Sequence, residues 1–344
     1  MLKMKQVGVV VAMTLAAVSA MASNFRAADQ VYLPIAGHFQ GIKGETFVTD
    51  VAFSNLSTDA VDVSIIFGST SAGTIKTFPK ALTLNPGERR EVLDFFGSVL
   101  KDSNNQGLLI FNACKKDQDC TPNSTGDNPN YRNISVESRI YSTAAGTDPA
   151  SAPTVGQGFP GIPWYNFISS TASGVGLDRA FVTGLRNTGA AGQAGTYRTN
   201  IGLVNASQFS TTTLVATLFD GATGTQIGQP FSQTLQPLGQ VQKSMSEMYG
   251  TTFTGANAKN AYIVVSQTNT VATSDAAVNG CANGCPAFLT YGSLLDNLSD
   301  DATTLESQYT QSLSSAAQTC IYNPDLGICK AGSISIHRAA KHQF

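Results

Sequence analysis

One segment of this chain is written twice. Residues 46–67 read TFVTDVAFSNLSTDAVDVSIIF, and residues 196–219 read TYRTNIGLVNASQFSTTTLVATLF. Thr46, Thr49, Asn55 and Ser57 recur as Thr196, Thr199, Asn205 and Ser207 at a single offset, and Asp50 recurs as Asn200. With small insertions the match runs on from Phe67 to Phe219, from Gly73-Thr74 to Gly224-Thr225, from Leu84-x-Pro86 to Leu235-x-Pro237, and from Phe96-Gly97 to Tyr249-Gly250. Gly107 to Phe111 then align with Ala261 to Val265, and each is followed by a loop that holds a pair of cysteines. Self-similarity of this kind marks a repeated structural unit. The chain of 344 residues therefore divides into two homologous domains.

Within each repeat the period is two. Phe47, Thr49, Val51 and Phe53 alternate with Thr46, Val48, Asp50 and Ala52, and Val61, Val63, Ile65 and Phe67 alternate with Asp62, Ser64 and Ile66. Tyr197, Thr199, Ile201 and Leu203 repeat the pattern. That alternation describes half-buried strands. The runs are separated by Asn55-Leu56-Ser57, Asp220-Gly221 and Asn85-Pro86-Gly87, in which proline presets one turn dihedral and glycine supplies a positive φ. Only Glu91 to Val99 and Ser244 to Tyr249 read as helical turns. About seven short strands in ~110 residues imply an immunoglobulin-like sandwich, although the Cys…Trp…Cys core of antibody domains is missing. The expected fold is all-β: two tandem immunoglobulin-like β-sandwich domains, residues 28–143 and 179–298, with a short C-terminal extension, 299–344.

The motifs Phe47-Val48-Thr49-Asp50 through Asn55, Tyr197-Arg198-Thr199-Asn200 through Asn205, Leu84-Asn85-Pro86-Gly87 and Ser293-Leu294-Leu295-Asp296-Asn297 carry a resemblance. Over residues 32–298 the chain resembles secreted bacterial proteins with tandem immunoglobulin-like repeats, a group with no established activity. The resemblance implies a fold and an export route. Repeat 2 departs from the turn motif, with Leu238 standing between Pro237 and Gly239.

Residues 1–22, MLKMKQVGVVVAMTLAAVSAMA, have the three parts of a secretory signal peptide: Lys3 and Lys5, an apolar run from Val7 to Ala20, and a small-residue cleavage site at Ala20-Met21-Ala22. The mature chain is expected to begin at Ser23 and to carry no later membrane span. Export gives the six cysteines a meaning, because an oxidising compartment favours disulfides. Their spacing forms three couples, Cys114 with Cys120, Cys281 with Cys285, and Cys320 with Cys329, read as three local bridges. Cys281-x3-Cys285 also has a zinc-like spacing, but no histidine lies near it to complete four ligands.

Residues 144–178 form the connection. Its first part, AAGTDPASAPTVGQG, has linker composition, and its second holds the aromatic cluster Phe159, Trp164, Tyr165 and Phe167. That cluster is the candidate interaction surface, either a sugar-stacking or partner-binding platform or a filler of the cleft between sandwiches. In the tail, Ser333 to His337 alternates like a strand that could pair with an edge of a neighbouring subunit.

Chemistry is poorly supplied. The three histidines, His38, His337 and His342, leave hydrolytic triads and metal hydrolases short of residues, and His38 reads as a solvated loop residue. Gly189, Gly192 and Gly195 precede no Lys-Ser/Thr and read as a hairpin loop. Asp117, Asp119 and Asp127 lack the remaining ligands of a calcium loop, and Glu137 beside Arg139 reads as a surface ion pair. No catalytic residue, metal or cofactor is expected. Only 13% of residues are charged, and the net charge of -2 carries no basic run, which removes the footprint of nucleic-acid binding. Low charge also weakens the barrier to edge-to-edge pairing of strands. The function expected is a non-enzymatic extracellular or cell-surface structural or adhesive protein, self-associating into a filament or surface layer through strand edges. Glycan binding by the aromatic cluster and a periplasmic assembly chaperone are the alternatives.

Overall fold

A computed structural model of the chain describes residues 27–41, 44–70, 74–121, 128–143, 154–164, 168–169, 179–208, 211–250, 253, 258–268, 287–309, 321–323 and 328–330. The signal segment, Cys281, Cys285, Cys320, Tyr165, Phe167, Asp127 and residues 333–337 lie outside the described residues.

The first sandwich is built from β1 (Gln30–Gln40), β2 (Thr46–Asn55), β3 (Val61–Ser69), β4 (Ile75–Leu84), β5 (Arg89–Val92), β6 (Asn105–Lys115), β7 (Ile134–Thr143), β8 (Val155–Pro160) and β9 (Ile162–Pro163). One sheet runs β4-β3-β6-β1 and the other β5-β2-β7-β8, with the end of β1 also pairing with β2. The second sandwich contains β10 (Ile168–Ser169), β11 (Arg179–Leu185), β12 (Tyr197–Asn205), β13 (Thr212–Asp220), β14 (Phe231–Leu235), β15 (Gln240–Ser244), β16 (Ala261–Gln267), β17 (Ala287–Asp296), β18 (Ala302–Glu306) and β19 (Gln308–Tyr309). Its sheets run β14-β13-β16-β11-β19 and β15-β12-β17-β18, with β10 also on β17. The two strand orders are the same, so the written repeat is a repeated topology. A separate pair, β20 (Ile321–Asn323) and β21 (Ile328–Lys330), is antiparallel.

Each core follows from the alternation. Phe53, Phe111 and Phe95 meet edge to face at 5.1–5.8 Å or tilted, and a π-helical turn, Phe96–Leu100, sets Phe96 against Phe67 at 5.2 Å. In the second sandwich a short helix α1 (Met245–Tyr249) takes the same place, opened by a capping box between Ser244 and Glu247. Its Tyr249 hydroxyl donates to the Ala216 carbonyl at 2.9 Å.

Two of the repeated polar positions are clamps. Thr49 Oγ1 accepts from the Gly37 amide at 2.8 Å and donates to the Gly37 carbonyl at 3.0 Å, beside the bulge in β1. Thr199 does the same to Arg186, at 3.0 and 2.7 Å. Asn55 donates to the Asn85 carbonyl at 2.9 Å and accepts from the Ser57 amide at 3.0 Å. Asn205 donates to Gln236 at 2.9 Å and accepts from Ser207 at 2.9 Å. Both asparagines are buried and tie the end of one strand to the turn that follows β4 or β14. These are the pairings that buried polar groups need.

The structure departs from the sequence reading in several places. Residues 155–163, read as linker, form β8 and β9 of the first sandwich, and 302–306, read as extension, form the equivalent β18 of the second. Val155-Gly-Gln-Gly-Phe159 has no apolar alternation, because backbone pairing with β7 holds it. Phe67 does not match Phe219: the inward residues of β3 and β13 are Ile65 and Phe67 against Ala216 and Leu218, while Phe219 is half-buried and stacks on Tyr262. A one-residue slip moves a side chain to the other face of a sheet. Leu238 is not an insertion. It occupies the third turn position, held by Gly87 in repeat 1, and both residues have positive φ, 53° and 69°.

Candidate functional site

The outer face of the β4-β3-β6-β1 sheet is divided by chemistry. One cross-strand row is Ser64–Asn112–Gln30, and the next is Ile66–Ile110–Tyr32. The apolar half docks on the second sandwich. Tyr32, Ile66, Leu108, Ile110 and Phe159 form one buried cluster with Val204, Leu238, Ala287, Leu289 and Tyr291. Phe159 and Tyr291 meet edge to face at 5.0 Å. At the rim Ser293 donates to Gln157 at 3.0 Å, and Thr304 donates to the Gly158 carbonyl at 2.6 Å.

The polar half floors a cavity of about 210 Å³ whose lid is the Cys114–Cys120 loop. Asp29, Asp62, Ser64, Asn112, Asp119 and Tyr131 line it. Gln30 donates to Asn112 Oδ1 at 2.7 Å, while the buried Asn112 Nδ2 has no partner among the described residues. Asp62 accepts from the Thr83 hydroxyl at 2.7 Å and from the Asp117 amide at 3.1 Å, with Lys80 at 3.6 Å. Burial pushes its carboxyl up, but these donors outweigh burial and hold it below the ordinary carboxylate range. The cavity thus offers fixed acceptors and one amide donor, the complement of a small hydroxyl-bearing ligand or of water.

Of the aromatic cluster, Phe159 is 2% exposed in the inter-sandwich cluster. Trp164 is half-buried, packs on both that cluster and the first core, and donates from Nε1 to Asp29 at 2.9 Å. Phe159 therefore offers no open ring face, whereas Trp164 keeps part of its surface exposed. The Cys114–Cys120 bridge forms, with Cα atoms 6.1 Å apart. The side chain of Cys329 is not described. Asp119 accepts from the Thr121 amide and hydroxyl, at 2.8 and 2.7 Å, so it closes its own turn. Gly189, Gly192 and Gly195 lie in the loop between β11 and β12.

His38 is not a solvated loop residue. It lies in β1, half-buried, with Nδ1 2.9 Å from Asp94. The Asp94 amide donates to Asp50 at 2.8 Å, and the Tyr141 hydroxyl donates to Asp50 at 3.2 Å. Burial raises the Asp50 carboxyl, and burial followed by the Asp50 charge pushes Tyr141 up to about 12. The end of β1 lies beside the residues that follow β5, so His38 meets Asp94, a juxtaposition that spacing alone does not reveal. Glu137 pairs with Arg89 at 3.7 Å, not with Arg139, which lies over the Tyr141 ring at 4.8 Å. Among the described residues no group of three or more His, Cys, Asp or Glu is arranged to hold a metal ion, and no helix is long and apolar enough to cross a membrane.

Two edge strands of the first sandwich are guarded. β4 carries Lys76, Pro79 and Lys80, with a bulge and a positive φ at Lys80, while β5 carries Arg89 and Arg90. Such features oppose edge-to-edge pairing. The expected weakness of that barrier therefore holds for average charge and fails at these edges.

No protein-family model matches the chain, and no curated protein matches it. Among solved structures it shows a low similarity to the N-terminal CBM22-1-CBM22-2 tandem domain of Paenibacillus barcinonensis Xyn10C, at 11% identity over 79% of this chain and 85% of that one, with a TM-score of 0.18. A biofilm-associated protein BSP domain is 9% identical over 83% of this chain and 59% of that one, with a TM-score of 0.19. At these scores the likeness supports no argument about fold or function.

Proposed function

We propose that the protein is an exported, non-catalytic structural or adhesive component of the cell surface, in which two sandwiches act as one rigid block. The observation that carries this reading is the buried apolar cluster joining Tyr32, Ile110 and Phe159 to Leu238, Leu289 and Tyr291. A flexible tandem repeat needs no such seam, whereas a load-bearing spacer does. The signal-like segment, the local disulfide and the structural use of the repeated Thr49/Thr199 and Asn55/Asn205 positions agree with it. At β4 and β5 the guarded edges oppose assembly by strand pairing.

The test is fractionation of producing cells followed by small-angle scattering and electron microscopy of the purified protein. The reading expects surface or extracellular protein with one fixed inter-sandwich geometry. Protein retained in the cytoplasm, or a scattering profile that requires independently tumbling domains, would overturn it.

Glycan binding is the second reading, favoured by the hydroxyl-complementary cavity under the Cys114–Cys120 loop. A glycan array with wild type and Asn112→Leu checks it. Binding that is absent, or unchanged by the substitution, removes it.

A further inference from the structure

The face that the first sandwich uses to dock has an equivalent in the second. The row Ile66–Ile110–Tyr32 corresponds to Thr217–Val264–Phe181, and the next row, Gly68–Leu108, corresponds to Phe219–Tyr262. In the first sandwich these positions are buried against the second; in the second they are only half-buried. All but Thr217 are apolar or aromatic. Phe219 stacks on Tyr262 at 5.2 Å, and Tyr262 approaches Phe181 at 6.4 Å. β6 reads Leu-Leu-Ile-Phe and β16 reads Tyr-Ile-Val-Val, both continuous apolar runs. Such runs belong to strands covered on both faces.

We propose that the C-terminal extension, residues 310–344, folds over the outer face of the β14-β13-β16-β11-β19 sheet and covers Phe181, Tyr262 and Phe219. The chain starts there: β19 pairs with β11 through Phe181↔Gln308 and Ala180↔Tyr309, so the extension leaves from the edge of this sheet. The 35 residues that follow could cross it easily, since the far edge lies only four strand spacings away, ~19 Å. They bring Leu313, Leu326, Ile334 and Ile336, and the antiparallel pair β20–β21.

The competing occupant is another copy. Repeating the internal docking mode is closed to it, because Ser54, Ser135 and Glu137 of the first sandwich stand where Val204, Leu289 and Tyr291 present the apolar patch of the second. Glu137 is there paired with Arg89. A face-to-face dimer would have to displace a segment tethered beside the site, whose effective concentration reaches the millimolar range.

The test is photo-crosslinking of the full chain with Thr217→p-benzoylphenylalanine, on the face beside Val264 of the central strand β16, with the mass of the product and the cross-linked peptide identified. The expected result is a monomer-mass product joining position 217 to residues 310–344, with a yield independent of protein concentration. A dimer-mass product, a cross-link to another part of the chain, or no cross-link would overturn the proposal. Hydroxyl-radical footprinting of the wild type reads the same face without a substitution. Tyr262 should be oxidised at least about threefold more slowly than in the full-length double variant Ile334→Asp/Ile336→Asp, with unchanged far-ultraviolet dichroism. Equal rates would overturn the proposal. Neither readout depends on surface location, so the proposal and the functional reading fail separately.

Discussion

Gly68 of the first sandwich lies directly against Leu238 of the second: a Cβ at Gly68 would stand 2.5 Å from the Leu238 Cβ and 2.7 Å from its carbonyl oxygen. Leu238 is fully buried although its φ is 53°. A leucine in the left-handed region costs about 1–2 kcal/mol, whereas burying its side chain contributes about 1.5–3 kcal/mol. The repeat's departure from Pro-Gly at this turn is therefore the anchor of the interface. Leu238→Gly is expected to relieve the strain and lose the anchor, for a net loss of about 1 kcal/mol. Gly68→Ala is expected to overpack the same contact and cost about 1–3 kcal/mol. Chemical denaturation measures both. A stabilised Leu238→Gly variant would show that the side chain contributes less to docking than its backbone strain costs.

Phe159→Ala should cost about 3–5 kcal/mol, as for a large buried aromatic, because its ring fills the seam against Tyr291. Scattering should show the sandwiches separating before either unfolds. A surface-interaction role for Phe159 predicts instead near-wild-type stability with a binding loss.

Much of this was legible in the residues themselves. Alternation in β2, β3 and β12 and the Pro-containing turns disclose the sandwiches, and the repeated Thr and Asn positions disclose their equivalence. The register of Phe219 was not legible, because one residue more in the turn before β13 looks the same in an alignment and reverses the face. Nor were β8 and β18, whose glycines and threonines are held by neighbouring strands rather than by an apolar pattern. The seam did have a signal: Leu108-Leu109-Ile110-Phe111 is apolar at every position, which a half-exposed strand does not require. His38 with Asp94 had none, since 56 positions separate them.

The clamp residues make a sharper comparison. Thr199→Val keeps shape and removes the hydroxyl that serves both the amide and the carbonyl of Arg186. Leaving those groups without a partner should cost about 1–3 kcal/mol, and Thr49→Val should cost a similar amount against Gly37. Because the two sites lie in different sandwiches, their costs should add. Paired urea titrations of the single and double variants check this, and a strongly non-additive double variant would mean that the sandwiches are coupled through the clamps.

Acid should act on Asp62 and Asp50 in opposite senses. Asp62 is largely desolvated, yet the Asp117 amide, the Thr83 hydroxyl and Lys80 hold its folded pKa below the ordinary value. Its stabilisation is therefore complete above the unfolded carboxylate pKa, about 3.9, and is lost as pH falls through the lower folded value. Asp50 has a folded pKa raised chiefly by burial, so its ionised form opposes folding at neutral pH and the penalty is relieved on acidification. The stability of wild type minus Asp62→Asn should accordingly shrink between pH 6 and pH 3, whereas that of wild type minus Asp50→Asn should grow. Denaturant midpoints of the three proteins across that range measure the two differences. The solvent-exposed Lys80, 3.6 Å from Asp62, should add little, so Lys80→Met should leave the Asp62 profile largely intact. A profile abolished by Lys80→Met would place the stabilisation in the ion pair instead of in the two hydrogen bonds.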